Sequence, residues 1–207
     1  MNLIFAPVLA AILVAQAPPD RVVTGVVVDA EGKGVGGARI VFGGSAVAPD
    51  RNAAIDVQGL SDADGNFRLV IPRTGMALTR EVNLLGYRPG LAIGAVGIAR
   101  PPHRIVLRAT WPRTVRIRTA QGPAVAGARI RPRMIYVFDG TLADVPGSLA
   151  DLLAATTGRD GSATIAFLPA RAQLAAVQVT AEMIGTQEFL LVEQPGRGSQ
   201  PEVRVRL

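Results

Sequence analysis

The sequence predicts an all-β chain of two tandem seven-stranded antiparallel β-sandwiches, with a short helix inserted in the second. Three observations carry this. A block of sequence recurs at a fixed offset, apolar residues alternate with polar ones in short runs, and glycine (23) and proline (15) punctuate the 207 residues too densely for a helical bundle. With 49% hydrophobic and 18% charged residues, the chain has the apolar material for a core and is not a disordered polymer.

The repeat comes first because it sets the domain plan. Val35-Gly36-Gly37-Ala38-Arg39-Ile40 superimposes without a gap on Val125-Ala126-Gly127-Ala128-Arg129-Ile130, and Gly32 falls on Gly122 at the same offset. Asp64-Gly65 followed by Phe67, Leu69 and Ile71 matches Asp160-Gly161 followed by Ala163, Ile165 and Phe167. Arg104-Ile105-Val106-Leu107-Arg108 closes the first unit as Val203-Arg204-Val205-Arg206-Leu207 closes the second. The expected division is residues 1–17 as a leader, 18–110 as one sandwich and 111–207 as the other, each unit large enough to fold as a single sandwich. Trp111 falls at the boundary, where its ring is expected to pack between the units.

Within unit one, Val22 to Val28 is β-branched and ends at the turn Asp29-Ala30-Glu31-Gly32, so it reads as a strand. Ala38 to Phe42 is the next strand, and Gly43 to Gly59 is expected to be irregular. Asp62-Ala63-Asp64-Gly65-Asn66 reads as a hairpin turn feeding a strand from Phe67 to Ile71, which Pro72 and Gly75 end. Strands near Thr79–Leu85, Gly90–Ile98 and His103–Ala109 complete the unit. Unit two follows the same plan, except that Ser148 to Ala154 reads as a short helix capped by Ser148.

Gly25-x-Val27-x-Asp29-x-x-Gly32-x-x-Val35-x-Gly37-Ala38-x-Ile40, then Ser61-Asp62-x-x-Gly65-x-Phe67, then Leu85-Gly86-Tyr87, resembles the carboxypeptidase regulatory-like domain. The resemblance implies a transthyretin-like sandwich of two antiparallel sheets, and it covers both units. Gly34 and Ala124 stand where that family usually has proline, and Ala163 stands where it has an aromatic residue. The matching residues are turn glycines and core positions, so the resemblance speaks to fold and not to activity.

Leu3 to Val14 is apolar and uncharged and is followed by Ala15-Gln16-Ala17, a small-x-small cleavage pattern, so residues 1–17 read as an export signal. A helix of that apolar length is about 18 Å long, short of a bilayer core, so no permanent span is expected once the signal is removed. The expected location is the periplasm or the exterior.

The chain has no cysteine and one histidine, His103, which removes disulfide frameworks, thiol chemistry and most zinc or iron sites. Transthyretin-like hydrolases use several histidines, and sandwich-fold iron dioxygenases use two tyrosines and two histidines. One histidine supplies neither set. Asp62-Ala63-Asp64-Gly65-Asn66 has the carboxylates of a calcium loop but no distal glutamate, so the hairpin reading is preferred. No nucleophile elbow or phosphate loop is present. The chain is therefore read as non-enzymatic, with no cofactor and no metal.

The net charge is +6, and all but one of the 22 cationic residues are arginine, the exception being Lys33. The charge is shared evenly between the units and forms no block, so nucleic acid is not expected as a partner. Arginine alternates with aliphatic residues at Val115-Arg116-Ile117-Arg118 and Val203-Arg204-Val205-Arg206. If those strands share a sheet, Arg116, Arg118, Arg204 and Arg206 lie on one outer face, where each guanidinium offers a planar fork to an oxyanion. Tyr136-Val137-Phe138 is the one stretch resembling a stacking platform for a glycan, through Tyr136 and Phe138. The overall reading is an exported structural or protein-interaction module of the cell envelope, its partner another envelope or extracellular protein. A carbohydrate- or anion-binding module is the alternative.

Overall fold

Residues 20–47, 54–71, 77–78, 83–99, 101–136, 142–168, 174–192 and 202–206 are described by the computed structural model. Among them, every regular element except one short helix is a β-strand. In the first half, β1 (Arg21–Val28), β4 (Asn66–Ile71) and β8 (His103–Val106) form a sheet in the order β4-β1-β8. A second sheet runs β3 (Ala54–Leu60), β2 (Arg39–Val47), β6 (Asn83–Tyr87), β7 (Gly94–Gly97), with β5 (Ala77–Leu78) paired to the end of β2.

Strand β4 shows most plainly why these residues form strands. Phe67, Leu69 and Ile71 are buried and Asn66, Arg68 and Val70 are exposed, since successive side chains of a strand point to opposite faces. The buried set packs with Val23 and Val27 of β1, Ile105 of β8, Ile40 and Phe42 of β2, and Leu84 of β6. One sheet thus lies against the other over an apolar core.

The second half repeats the sheet order. Strands β9 (Arg113–Thr119), β13 (Ser162–Ile165) and β16 (Glu202–Val205) give β13-β9-β16. Strands β10 (Arg129–Tyr136), β11 (Leu142–Asp144), β14 (Leu174–Ala181) and β15 (Gly185–Val192) give β11-β10-β14-β15, with β12 (Ala155–Thr156) also on β10. Where β2 has the continuous partner β3, β10 has β11 at residues 134–136 and β12 at residues 129–130. Helix α1 (Gly147–Leu152) lies between those two short strands in the chain. Pro132 falls opposite the gap between them, beside a register shift against β14. A residue without an N–H is tolerated in a sheet at such an irregularity.

The all-β expectation holds, and several details differ. The pairs β1/β8 and β9/β16 are parallel, so the sheets are not purely antiparallel. The last strand of each half reaches the first only after crossing from the other sheet, and no pattern within a strand encodes its direction. Each half has eight strands among the described residues, the two-residue β5 and β12 included. The stretch expected to be irregular contains the last five residues of β2 and all of β3 but Leu60. In β3, Asp56 and Gln58 alternate with Val57 and Gly59, a strand pattern interrupted by little except glycine. Ser148 does not cap α1. Pro146 precedes the helix, and Ser148 is its second residue, where the hydroxyl cannot reach back to the first turn's amides. That hydroxyl is buried with no hydrogen-bond partner among the described residues.

The halves meet over an apolar face. Ile40, Val41 and Phe42 are all fully buried, as are Leu84 and Leu85. Ile40, Phe42 and Leu84 face the first core. Val41 and Leu85 project from the other face of the sheet and, with Ile93 and Ala95, belong to the same cluster as Ile135, Ala143 and Phe167 of the second half. Hydrogen bonds cross the same boundary: Ile93 N–H to the Phe167 carbonyl (3.0 Å), Asn83 Nδ2 to the Leu142 carbonyl (3.0 Å) and Ser148 N–H to Asp56 Oδ2 (3.3 Å). Trp111 does not fill this junction. Its side chain is 57% exposed, and its backbone N–H donates to the Leu168 carbonyl. The boundary is closed instead by Val41, Leu85, Ile93 and Ala95 against Ile135, Ala143 and Phe167.

Candidate functional site

The turns that face one end of each half are built by the same bonds. Ser61 Oγ donates to the Val35 carbonyl (2.7 Å) and accepts the Ala38 amide (2.9 Å). Thr157 Oγ1 donates to the Val125 carbonyl (2.7 Å) and accepts the Ala128 amide (2.8 Å). Val27 N–H donates to the Gly65 carbonyl and Ile117 N–H to the Gly161 carbonyl, each at 2.8 Å. Gly65 and Gly161 have φ of 86° and 75°, and a Cβ at either would collide with the carbonyl of Val27 or Ile117. The hydroxyl bridge was not singled out from the sequence, where Ser61 and Thr157 are different residue types at a different offset from the loops they tie down.

The acidic turns are occupied by their own backbone. Asp62 accepts the amides of Asn66 (2.8 Å) and Asp64 (3.0 Å), and the Asn66 amide above all holds its carboxyl below the usual range. The Ser162 hydroxyl, followed by the Ser162 amide, does the same for Asp160. Among the described residues no group of three or more His, Cys, Asp or Glu side chains is placed to hold a metal.

His103 is the first residue of β8 and is buried. Burial, and then the charge of Arg21, push its pKa down, so the neutral imidazole is favoured. Its Nδ1 has no hydrogen-bond partner among the described residues.

The arginine alternation does assemble. Val115, Ile117, Val203 and Val205 are buried, and β9 lies parallel to β16 with Arg118 opposite Arg204 and Arg116 opposite Glu202. Arg116, Arg118 and Arg204 therefore share the outer face of the sheet β13-β9-β16. Arg206 follows just past β16, exposed, with its backbone N–H on Gln187 Oε1 (3.0 Å). Arg118 also donates to the Gly122 carbonyl (2.9 Å), and Arg116 is close enough to Asp160 for its charge to add to the depression of that carboxyl's pKa. The arginines of β10 lie beside acidic side chains. Arg129 and Arg131 lie 2.9 and 3.1 Å from Asp151, and Arg133 lies 3.4 Å from Asp144 and 3.7 Å from Glu188.

Tyr136 ends β10, half-buried, in register with Leu142 and Leu174. Phe138 lies outside the described residues, as do residues 1–17. At one end of the first half, a cleft of about 590 Å³ lies between the loop carrying Asp29, Glu31 and Lys33 and the loop carrying Arg88 and Leu91, above Leu107. Asp29 is fixed there by the amides of Glu31 and Lys33 (3.1 and 2.8 Å).

Among the described residues no helix is long and apolar enough to cross a membrane. No family model and no curated protein matches the chain. Among solved structures, it is similar to the shaft pilin SpaA from Lactobacillus rhamnosus GG at 12% identity and a TM-score of 0.32, over 91% of this chain and 97% of that one. A Streptococcal ancillary pilin gives 12% and 0.33, over 90% and 62%. The full-length major pilin RrgB from Streptococcus pneumoniae gives 9% and 0.29, over 91% and 48%. The chain thus spans about half to three fifths of the length of the last two. At such identities and scores the likeness carries no functional argument.

Proposed function

We propose that the chain is an exported, non-catalytic structural or protein-interaction module of the cell envelope, made of two carboxypeptidase regulatory-like sandwiches at residues 18–110 and 111–207. The observation that carries this is the burial of Val41 and Leu85 on the face of the first half that meets the second. A shared apolar boundary of this kind makes the two halves one stiff body, suited to holding partners at a fixed separation rather than to closing on a substrate. The use of Asp29, Asp62 and Asp160 in turn hydrogen bonds supports the same reading, since carboxylates committed to backbone amides are poor general bases.

The test is fractionation of cells that produce the full chain, with N-terminal sequencing and envelope cross-linking of the recovered protein. The proposal expects the protein outside the cytoplasm, beginning near Gln16 or Pro18 and cross-linked to an envelope component. Full-length protein retained in the cytoplasm contradicts it.

One observation favours a second reading. The shared face of Arg116, Arg118 and Arg204 has the forked donor chemistry for sulfate- or phosphate-bearing polymers, which would make the second half an anion-binding surface.

A further inference from the structure

Among the described strands that end a sheet, β15 is the longest, at eight residues. Sheet edges are ordinarily blunted by charged side chains, by proline, by a bulge or by brevity. Strand β15 (Gly-Thr-Gln-Glu-Phe-Leu-Leu-Val) has no proline and one charge, Glu188, and its pairing with β14 runs without a register shift from Leu174↔Val192 to Ala181↔Gly185. Its polar side chains turn back onto their own half rather than over the edge. Thr186 meets Thr180 (2.9 Å), Glu188 accepts from Gln178 (2.9 Å), and Gln187 is tied to the Ile184 carbonyl and to the backbone of Arg206. Leu190, on the outer face beside this edge, is 62% exposed.

We propose that β15 pairs antiparallel with β15 of a second copy of this chain, joining the two five-stranded sheets across a two-fold axis. This rests on the reading of the chain as an interaction module and names the partner. Charge selects the partner and the register. Glu188 is the only ionisable residue of the strand, so an identical strand brings no opposing charge block. Cross-strand neighbours must also lie on the same face of the sheet. Centring the axis on Glu188 would set two carboxylates opposite each other. Centring it on Phe189 overlaps residues 186–192 of both strands, sets the two Phe189 rings side by side and places each Glu188 against the partner copy's Leu190. The other end of this sheet is the three-residue β11, so the pairing closes at two copies.

The test is sedimentation equilibrium of the full chain with three variants at exposed positions, chosen so that folding is undisturbed. The wild type is expected to be a dimer. Leu190→Glu, which opposes Glu188 across the axis, is expected to weaken it by about tenfold or more, whereas Leu190→Lys, which faces the same carboxylate, and Leu60→Glu on β3 preserve it. A wild type that is monomeric at every concentration, or a dimer that Leu190→Glu and Leu190→Lys weaken alike, overturns the proposal. A monomer that is still exported and cross-links to an envelope component overturns this pairing alone and leaves the broader function standing.

Discussion

Ser61 and Thr157 perform one task twice: each hydroxyl bridges a valine carbonyl and an alanine amide of the loop beside it, with partner distances agreeing to within 0.1 Å between the halves. The loops they clasp are 90 positions apart in the chain, at Val35 and Val125, while the two hydroxyls are 96 apart. The six extra residues of the second half in this interval equal the length of α1, which interrupts what is a single strand, β3, in the first half.

Ser61→Ala and Thr157→Ala each leave a buried amide and carbonyl unpaired and are expected to cost about 1–3 kcal/mol in denaturant unfolding. Ser61→Thr and Thr157→Ser keep the hydroxyl and are expected to cost well under half as much. Equal losses for the alanine and hydroxyl-keeping variants would mean that the bridge is not the stabilising feature.

Leu85 and Trp111 test where the halves join. Leu85→Ala removes a fully buried side chain from the shared boundary and is expected to cost about 2–5 kcal/mol. Trp111→Ala, at a residue 57% exposed, is expected to fall within about 0.5 kcal/mol of wild type. A large loss at Trp111 and a small one at Leu85 would place the junction at the indole instead.

How much of this is legible in the sequence depends on the kind of interaction. The alternation of Phe67, Leu69 and Ile71 and the repeat at Val35 and Val125 are local patterns, and both survive in the structure. Ile40-Val41-Phe42 and Leu84-Leu85 are unbroken apolar runs of the kind that marks a strand buried on both faces, yet a run alone does not say what covers the second face. Trp111 misleads because its place at the boundary and its size suggest a filler, whereas the boundary is closed by side chains on β2, β6 and β7. The Ser61 and Thr157 pairing shares the offset of Asp64-Gly65 and Asp160-Gly161 and is hidden by the change of residue type. Gly34, where the resembled family has proline, is explained only by the fold: a Cβ there would collide with the Asp64 carbonyl, while Ala124 in the second half is accommodated.

Acid sensitivity should come in two stages. The pKa of His103 is lowered in the fold from 6.5, so the unfolded chain binds the proton first, and the stability this provides is complete above about pH 6.5 and lost as pH falls toward the folded value. Asp62 and Asp160, lowered from 3.8, contribute stability that is present above that pH and lost below it. Denaturation midpoints measured across pH 3–7 should show the upper limb disappear in His103→Gln with the lower limb intact. An unchanged upper limb in that variant would contradict the assignment to His103.

If the outer face of β13-β9-β16 binds anions, retention on a heparin column should drop when Arg116, Arg118, Arg204 and Arg206 are replaced by serine. Replacing Arg129, Arg131 and Arg133, which lie against Asp151, Asp144 and Glu188, should change it less. Retention that survives the first set removes the anion-binding reading.

The account depends most on the two halves opening together, and native-state hydrogen exchange reads this directly. Phe42 on β2 and Val177 on β14 lie in central strands of the two larger sheets, and their amides should share one opening free energy. Ser61→Ala, made only in the first half, should lower protection at Val177 by the same factor as at Phe42. If protection falls at Phe42 and stays unchanged at Val177, the halves open independently and the single stiff body is wrong.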